Sequence, residues 1–126
     1  IRNENFNFHH KFFVELKKYF IPVEINKNIM TNFLAYPIIL KSKIKFNRKK
    51  LQVYLEKNNI QTRPIFSGNI LRHPGFKNLI NKKNKLNSFP GADYIMKNGI
   101  LIGCHQGLKK NQLIYIHKKI LKFINS

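Results

Sequence analysis

The apolar residues of this chain change period several times, and no segment keeps one period for longer than a short helix or strand needs. From Arg2 to Phe20, Phe6, Phe13, Leu16 and Phe20 recur at helical spacing, with Phe12 and Tyr19 alongside, and Pro22 is a natural stop. Phe33 to Leu40 is a short, nearly continuous apolar run rich in β-formers, and Pro37 within it points to a sheet edge or a bulge. Asn47 can cap a helix from Arg48 to about Asn58 that buries Leu51, Tyr54 and Leu55, and Asn58-Asn59 suits a left-handed C-terminal turn. Ile60 to Phe66 reads as a strand, Ser67-Gly68-Asn69 as a loop, and Pro74 opens a short helix through Ile80. Pro90 to Lys97 predicts a second short helix, Ile100 to Ile102 a buried strand, and Lys110 to Ile124 a last helix with Leu113, Ile116, Ile120 and Ile124 inward. Asn81 to Ser88 is polar and lysine-rich, the stretch where flexibility is expected.

About three strands among several helices predict an α/β domain with helices mostly on one face; sequence leaves the strand directions open. A chain of 126 residues fits one such domain, and 43% apolar composition suffices for a packed core. The first residue is Ile1, so the native protein is expected to begin upstream. No apolar leader segment follows it, and the longest nearly apolar stretch, residues 33 to 40, is far short of the ~20 residues a membrane span needs.

Twenty-four basic residues against five acidic ones give a net charge of +19, which on its face suggests an anionic partner. Nearly all are lysines, spread along a chain that is also rich in Asn, Ile and Phe and poor in Ala, a profile that A/T-rich codons produce by themselves. The reading is therefore solvated lysine faces, with neither a specific nucleic acid nor a membrane as partner. A basic nucleic-acid-binding or scaffold module without catalytic activity stands as the alternative. One cysteine, Cys104, rules out an internal disulfide and suits a reducing, cytoplasmic setting.

Two segments could carry chemistry. In Ile60 to Phe76 a strand delivers Arg63, and a Gly-containing loop presents Asn69 and Arg72. Two guanidinium groups with an amide between them suit a phosphate, diphosphate or carboxylate. The competing reading is a capped loop in which Arg63 pairs with Glu56 or Asp93. In Ile102 to Leu108 a strand runs into a glycine-bracketed turn with His105, a ligand hydrogen-bond donor, a general acid/base group or a structural residue. The His and Cys residues show no metal-ligand spacing, so no metal is expected, and the few carboxylates give no acid/base pair.

The string Gln61-Thr-Arg-Pro-Ile-Phe-Ser-Gly-Asn-Ile-Leu-Arg-His-Pro74 resembles a signature of the DegT/DnrJ/EryC/StrS sugar aminotransferase family of fold-type I pyridoxal-phosphate enzymes. It is most similar to the branch of the CDP-4-keto-6-deoxyglucose 3-dehydratases of lipopolysaccharide and dideoxysugar synthesis, which carry a comparable Thr-Arg-x-x-Phe-x-Gly-Asn-x-x-Arg-x-Pro stretch. Asp93 to Met96 and Ile102 to Leu108 resemble the family's late helix and strand-turn; Gln106 and Lys109 depart from its usual residues.

The resemblance implies the small C-terminal domain: residues 1–22 as the helix joining two domains, and residues 23–126 as the substrate-side domain. A large domain outside this chain would hold pyridoxal 5'-phosphate or pyridoxamine 5'-phosphate and supply the catalytic residue, a Lys in transaminases and a His in 3-dehydratases. Arg63, Asn69 and Arg72 are then implied to contact a nucleotide-linked 4-keto sugar, with Phe66 and His105 lining the pocket. The full-length protein would be a homodimer catalysing 3-dehydration of a 4-keto-6-deoxysugar or transamination, with a partner reductase in the first case. The isolated segment would be inactive.

Overall fold

In the computed structural model, residues 1–26, 28–81 and 85–126 are described, so the expected flexible stretch from Asn81 to Ser88 falls partly outside them. The elements are α1 (Arg2–Glu15), β1 (Phe20–Ile21), β2 (Ala35–Leu40), α2 (Arg48–Lys57), β3 (Thr62–Pro64), 3-10 turns at Ile70–Arg72 and Pro74–Leu79, α3 (Pro90–Asn98), β4 (Gly99–Gly103) and α4 (Lys110–Asn125). The strands form one sheet in the order β1-β2-β4-β3, antiparallel throughout.

Strand alternation decides which face is buried. Tyr36, Ile38 and Leu40 of β2 lie on one face, and the register places Ile102 opposite Tyr36 and Ile100 opposite Ile38 on that same face. All five are essentially inaccessible and join Phe6 and Phe13 of α1, Leu51 and Leu55 of α2, and Ile116, Ile120 and Ile124 of α4 in one core. Helices thus cover one face, as expected. The other face carries Pro37, Ile39 and Leu101, half-buried, and the exposed Arg63, whose register partner is Leu101.

The N-terminal helix is shorter than its periodicity predicts. It ends at Glu15, and a turn carries the chain to Phe20, which pairs with Leu40 as a two-residue fourth strand. Phe20 is buried in either geometry, here edge-on to Phe13 at 5.2 Å, so apolar spacing could not separate the two. This strand is so short that its ladder reaches only Ile39 and Leu40. Pro37 therefore lies where β2 has a neighbour on one side only, which reconciles a proline with an inner strand.

Local signals act as their chemistry requires. Asn47 Oδ1 accepts from Lys50 N at 2.9 Å to cap α2, and Asn59 ends the following turn at φ +58°. Glu56 reaches back to accept from Thr62 N and Oγ1 at 2.6 and 2.7 Å, tying α2 to β3. Lys109, whose ammonium cannot accept a hydrogen bond, leaves α4 half-capped: Gln112 Oε1 accepts from Lys109 N at 2.8 Å.

Candidate substrate-side site

The loop after β3 is built around Asp93 on α3. Its Oδ1 accepts from Asn69 Nδ2 at 2.7 Å and Arg72 Nε at 3.0 Å, and its Oδ2 from Arg72 Nη2 at 2.7 Å. The guanidinium also donates to Asn87 Oδ1 at 3.0 Å. These bonds, Arg72's first and Asn69's second, hold the Asp93 carboxyl down at about 2. Asn69 is itself buried, and its Oδ1 accepts from Leu71 N, capping the 3-10 turn. Of the two acids that the competing sequence reading offered to Arg63, Asp93 thus pairs with Arg72. Glu56, whose carboxyl the Thr62 hydrogen bonds lower first, is lowered further by the Arg63 charge.

Between β3 and this clamp the backbone is forced into the left-handed region twice. Gly68, at φ +60°, lies so close to α3 that a Cβ there would meet Met96 Cβ at 2.5 Å, so no other residue fits without displacement. Phe66 has φ +47°, a costly conformation for an aromatic residue, and its ring is 83% exposed. Arg63 is exposed on the sheet face opposite the core, and among the described residues no hydrogen bond engages its guanidinium, whose charge adds to the Thr62 hydrogen bonds in lowering the Glu56 carboxyl. Asn69 and Arg72 therefore hold the loop, while Arg63 and Phe66 are presented outward.

His105 lies at the other end of the sheet. The loop follows β3 beside the Gly99 end of β4, whereas His105 follows the Gly103 end, ~13 Å along the strand. Its Nδ1 accepts from Gly107 N at 3.2 Å, and its backbone oxygen accepts from Asn5 Nδ2 of α1 at 3.0 Å. The ring lines a cavity of about 400 Å³ with Gln61, Gln112 and Tyr115. Within this chain the five residues form two groups, one at each end of β4. Cys104 is buried with its thiol pushed upward by desolvation, which suits packing better than nucleophilic chemistry.

The model of the DegT/DnrJ/EryC1/StrS aminotransferase family matches residues 1–121. The chain belongs to that family. It is 33% identical over 92 residues to the lipopolysaccharide biosynthesis protein RfbH of Salmonella typhimurium, covering 73% of this chain and 21% of that one. It is 26% identical over 93 residues to the dTDP-4-dehydro-2,6-dideoxy-D-glucose 3-dehydratase of Saccharopolyspora spinosa, covering 74% and 20%. The chain thus spans about a fifth of the length of these relatives. An E. coli GDP-4-keto-6-deoxy-D-mannose-3-dehydratase with bound hydrated PLP superposes with a TM-score of 0.77 at 24% identity, over 94% of this chain and 30% of the other. An aminotransferase from Psychrobacter cryohalolentis superposes at 0.81 with 12% identity, over 99% and 34%. At such identities these two likenesses establish the fold of a DegT/DnrJ/EryC1/StrS domain. In the described residues no helix is long and apolar enough to cross a membrane.

Proposed function

We propose that this domain closes the substrate side of a cleft in a cytoplasmic, pyridoxal-phosphate- or pyridoxamine-phosphate-dependent enzyme that removes the 3-hydroxyl of a nucleotide-linked 4-keto-6-deoxysugar. The observation that carries the reading is that one short loop exposes both a cation and a strained aromatic. Arg63 and Phe66 stand exposed while Asp93 holds Asn69 and Arg72, and among the described residues Arg63's one charge partner is the exposed Glu56. Backbone strain persists where surrounding structure over-determines it, and it gathers at ligand clamps. Arg63 binds the diphosphate through parallel charge-assisted hydrogen bonds, and Phe66 packs on the sugar or base. Asn69 and Arg72 fix the loop that aims them, and Arg72's remaining N–H groups border the anion. His105 lines the far end of the same elongated substrate.

Support for a nucleotide sugar comes from a relative of the same fold, a GDP-4-keto-6-deoxymannose-3-dehydratase mutant with bound GDP-perosamine. Support for dehydration over transamination comes from the Saccharopolyspora relative, a 3-dehydratase. The residues of this chain suit the substrate better than the cofactor, because Arg72, the loop's second guanidinium, is already taken by Asp93 and Asn87. The cofactor would be held by the large domain, to which α1 leads, and when bound would supply the electron sink for loss of a proton from its own aminomethyl carbon. This domain's residues anchor the remote diphosphate, and that binding energy positions the reacting sugar. The enzyme acts as a homodimer, and a partner reductase completes deoxygenation.

The test is to supply the full-length enzyme with pyridoxamine phosphate, CDP-4-keto-6-deoxyglucose, an amino donor and a reductase with its nicotinamide electron donor, and to identify the sugar released. A 3-deoxygenated product supports the reading. A 4-amino sugar formed with net consumption of an amino donor would make the enzyme a transaminase.

A further inference from the structure

One outward stripe of α2 is not the polar surface that a peripheral helix normally shows. Lys50, Val53 and Lys57 recur at helical spacing on the exposed side of α2, bordered by Tyr54, which is half-buried and packs against the core rather than lying fully within it as the sequence predicts. Val53 is 44% exposed, and with Tyr54 and Phe123 of α4 it floors an open groove of about 590 Å³. The rim is formed by Lys49, Lys50 and Lys57.

The cationic character continues beyond the rim. Seven of the residues from 41 to 57 are Lys or Arg, and one, Glu56, is acidic. That carboxylate is already occupied by the Thr62 N–H and hydroxyl. In the loop before α2, Ile44 and Phe46 pack against the core while Lys43 and Lys45 are left outside. Phe46 meets Phe123 edge-on at 4.9 Å, so this loop adjoins the groove. Arg48, Lys49 and Lys50 also occupy the first turn of α2, where the helix dipole disfavours cations. An apolar floor inside a cationic rim complements an amphiphilic anion.

We infer, against the expectation of no membrane partner drawn from composition, that this groove is a peripheral docking site for the surface of an anionic phospholipid bilayer. The rim lysines meet the lipid phosphates, and the floor formed by Val53, Tyr54 and Phe123 takes the apolar boundary beneath them. A bilayer suits the groove better than a nucleic acid does. Phe123 is engaged edge-on by Phe46 and obliquely by Tyr54, instead of presenting a free face on which a base could stack. This inference is independent of which sugar reaction the protein performs.

Flotation of the full chain with phosphatidylcholine vesicles, with and without phosphatidylglycerol, tests it. Binding is expected only with phosphatidylglycerol present. Each lysine near an anionic surface strengthens binding roughly fivefold, so Lys49→Glu/Lys50→Glu/Lys57→Glu should weaken it by roughly 100-fold or more. Lys77→Glu/Lys109→Glu/Lys110→Glu, which changes the net charge equally, should keep most of it. Val53→Ser, which leaves the charge untouched, should weaken it several-fold, and the unfolding midpoint of each variant confirms that the fold is intact. Equal losses in the two triple variants, no effect of Val53→Ser, or no flotation with phosphatidylglycerol would each overturn the inference. So would tighter binding of a DNA duplex that depends on the same three lysines.

Discussion

His9 Nδ1 lies 2.9 Å from His117 Nε2, and this buried pair joins α1 to α4. The protons can be placed. His9 Nε2 is 3.1 Å from the Gly103 carbonyl oxygen, which can only accept, so Nε2 carries the hydrogen and Nδ1 its lone pair. His117 Nε2–H then donates to His9 Nδ1. Phe12 stacks on the His117 ring at 3.8 Å, which helps to exclude water from the pair.

Both imidazoles are neutral in the fold. Burial lowers His9 to about 4; burial first, and then His9, also lowers His117 below its ordinary value. An unfolded chain takes up these protons near pH 6.5 and the folded chain does not, so the unfolded state binds more protons between pH 6.5 and about 4. Stability is therefore full above pH 6.5 and falls as pH drops through that window. Denaturant unfolding between pH 7 and 5 should show it, and His9→Leu/His117→Leu should flatten the slope. An unchanged slope in the double variant would remove the pair as its cause.

Asp93 should act as the loop's clamp. In Asp93→Asn, amide-exchange protection at Leu71 and Arg72 is expected to fall while the β2–β4 amides keep theirs. Because hydrogen bonds from Arg72 and Asn69 lower the carboxyl to about 2, the clamp's contribution is complete above pH 4 and is lost as pH falls toward 2. Equal loss of protection across the sheet would show a global role instead.

Gly68→Ala should destabilise the domain by about 1–3 kcal/mol, since the new Cβ meets both positive φ and the Met96 side chain. Thermal or denaturant unfolding measures it. Gly91→Ala is the control, because nothing lies within 4 Å of the Cβ position there.

Asn47→Ala should cost about 1 kcal/mol through loss of the cap on Lys50 N. Asn47→Asp should restore it, adding a negative charge to a first turn that holds three cations. Unfolding midpoints of the two variants decide the matter.

These cases also show how much the sequence could reveal. The Asn47 cap, the Asn59 turn and the last helix are local, set by residues within one turn of one another, and were legible. The strand at Phe20 was not, because a helix and a turn bury that ring alike. The Asp93 clamp joins residues 21 and 24 apart, so the sequence could offer Asp93 as an internal partner for an arginine of this loop but not show that Arg72, and not Arg63, is the one it takes. The His9–His117 pair spans 108 residues. Its only sequence signal was that His9 shares a helical face with Phe6 and Phe13, a sign of burial.

The central claim is that Arg63 grips the nucleotide sugar, and affinity measures it most directly. Titrating full-length Arg63→Ala with the nucleotide sugar should give a Kd about 10- to 100-fold weaker than that of the unaltered enzyme, the worth of a charged hydrogen-bonding group. Arg63→Lys should recover only part, because a point charge replaces a fork. Unchanged affinity in Arg63→Ala, with the fold intact, would contradict the account.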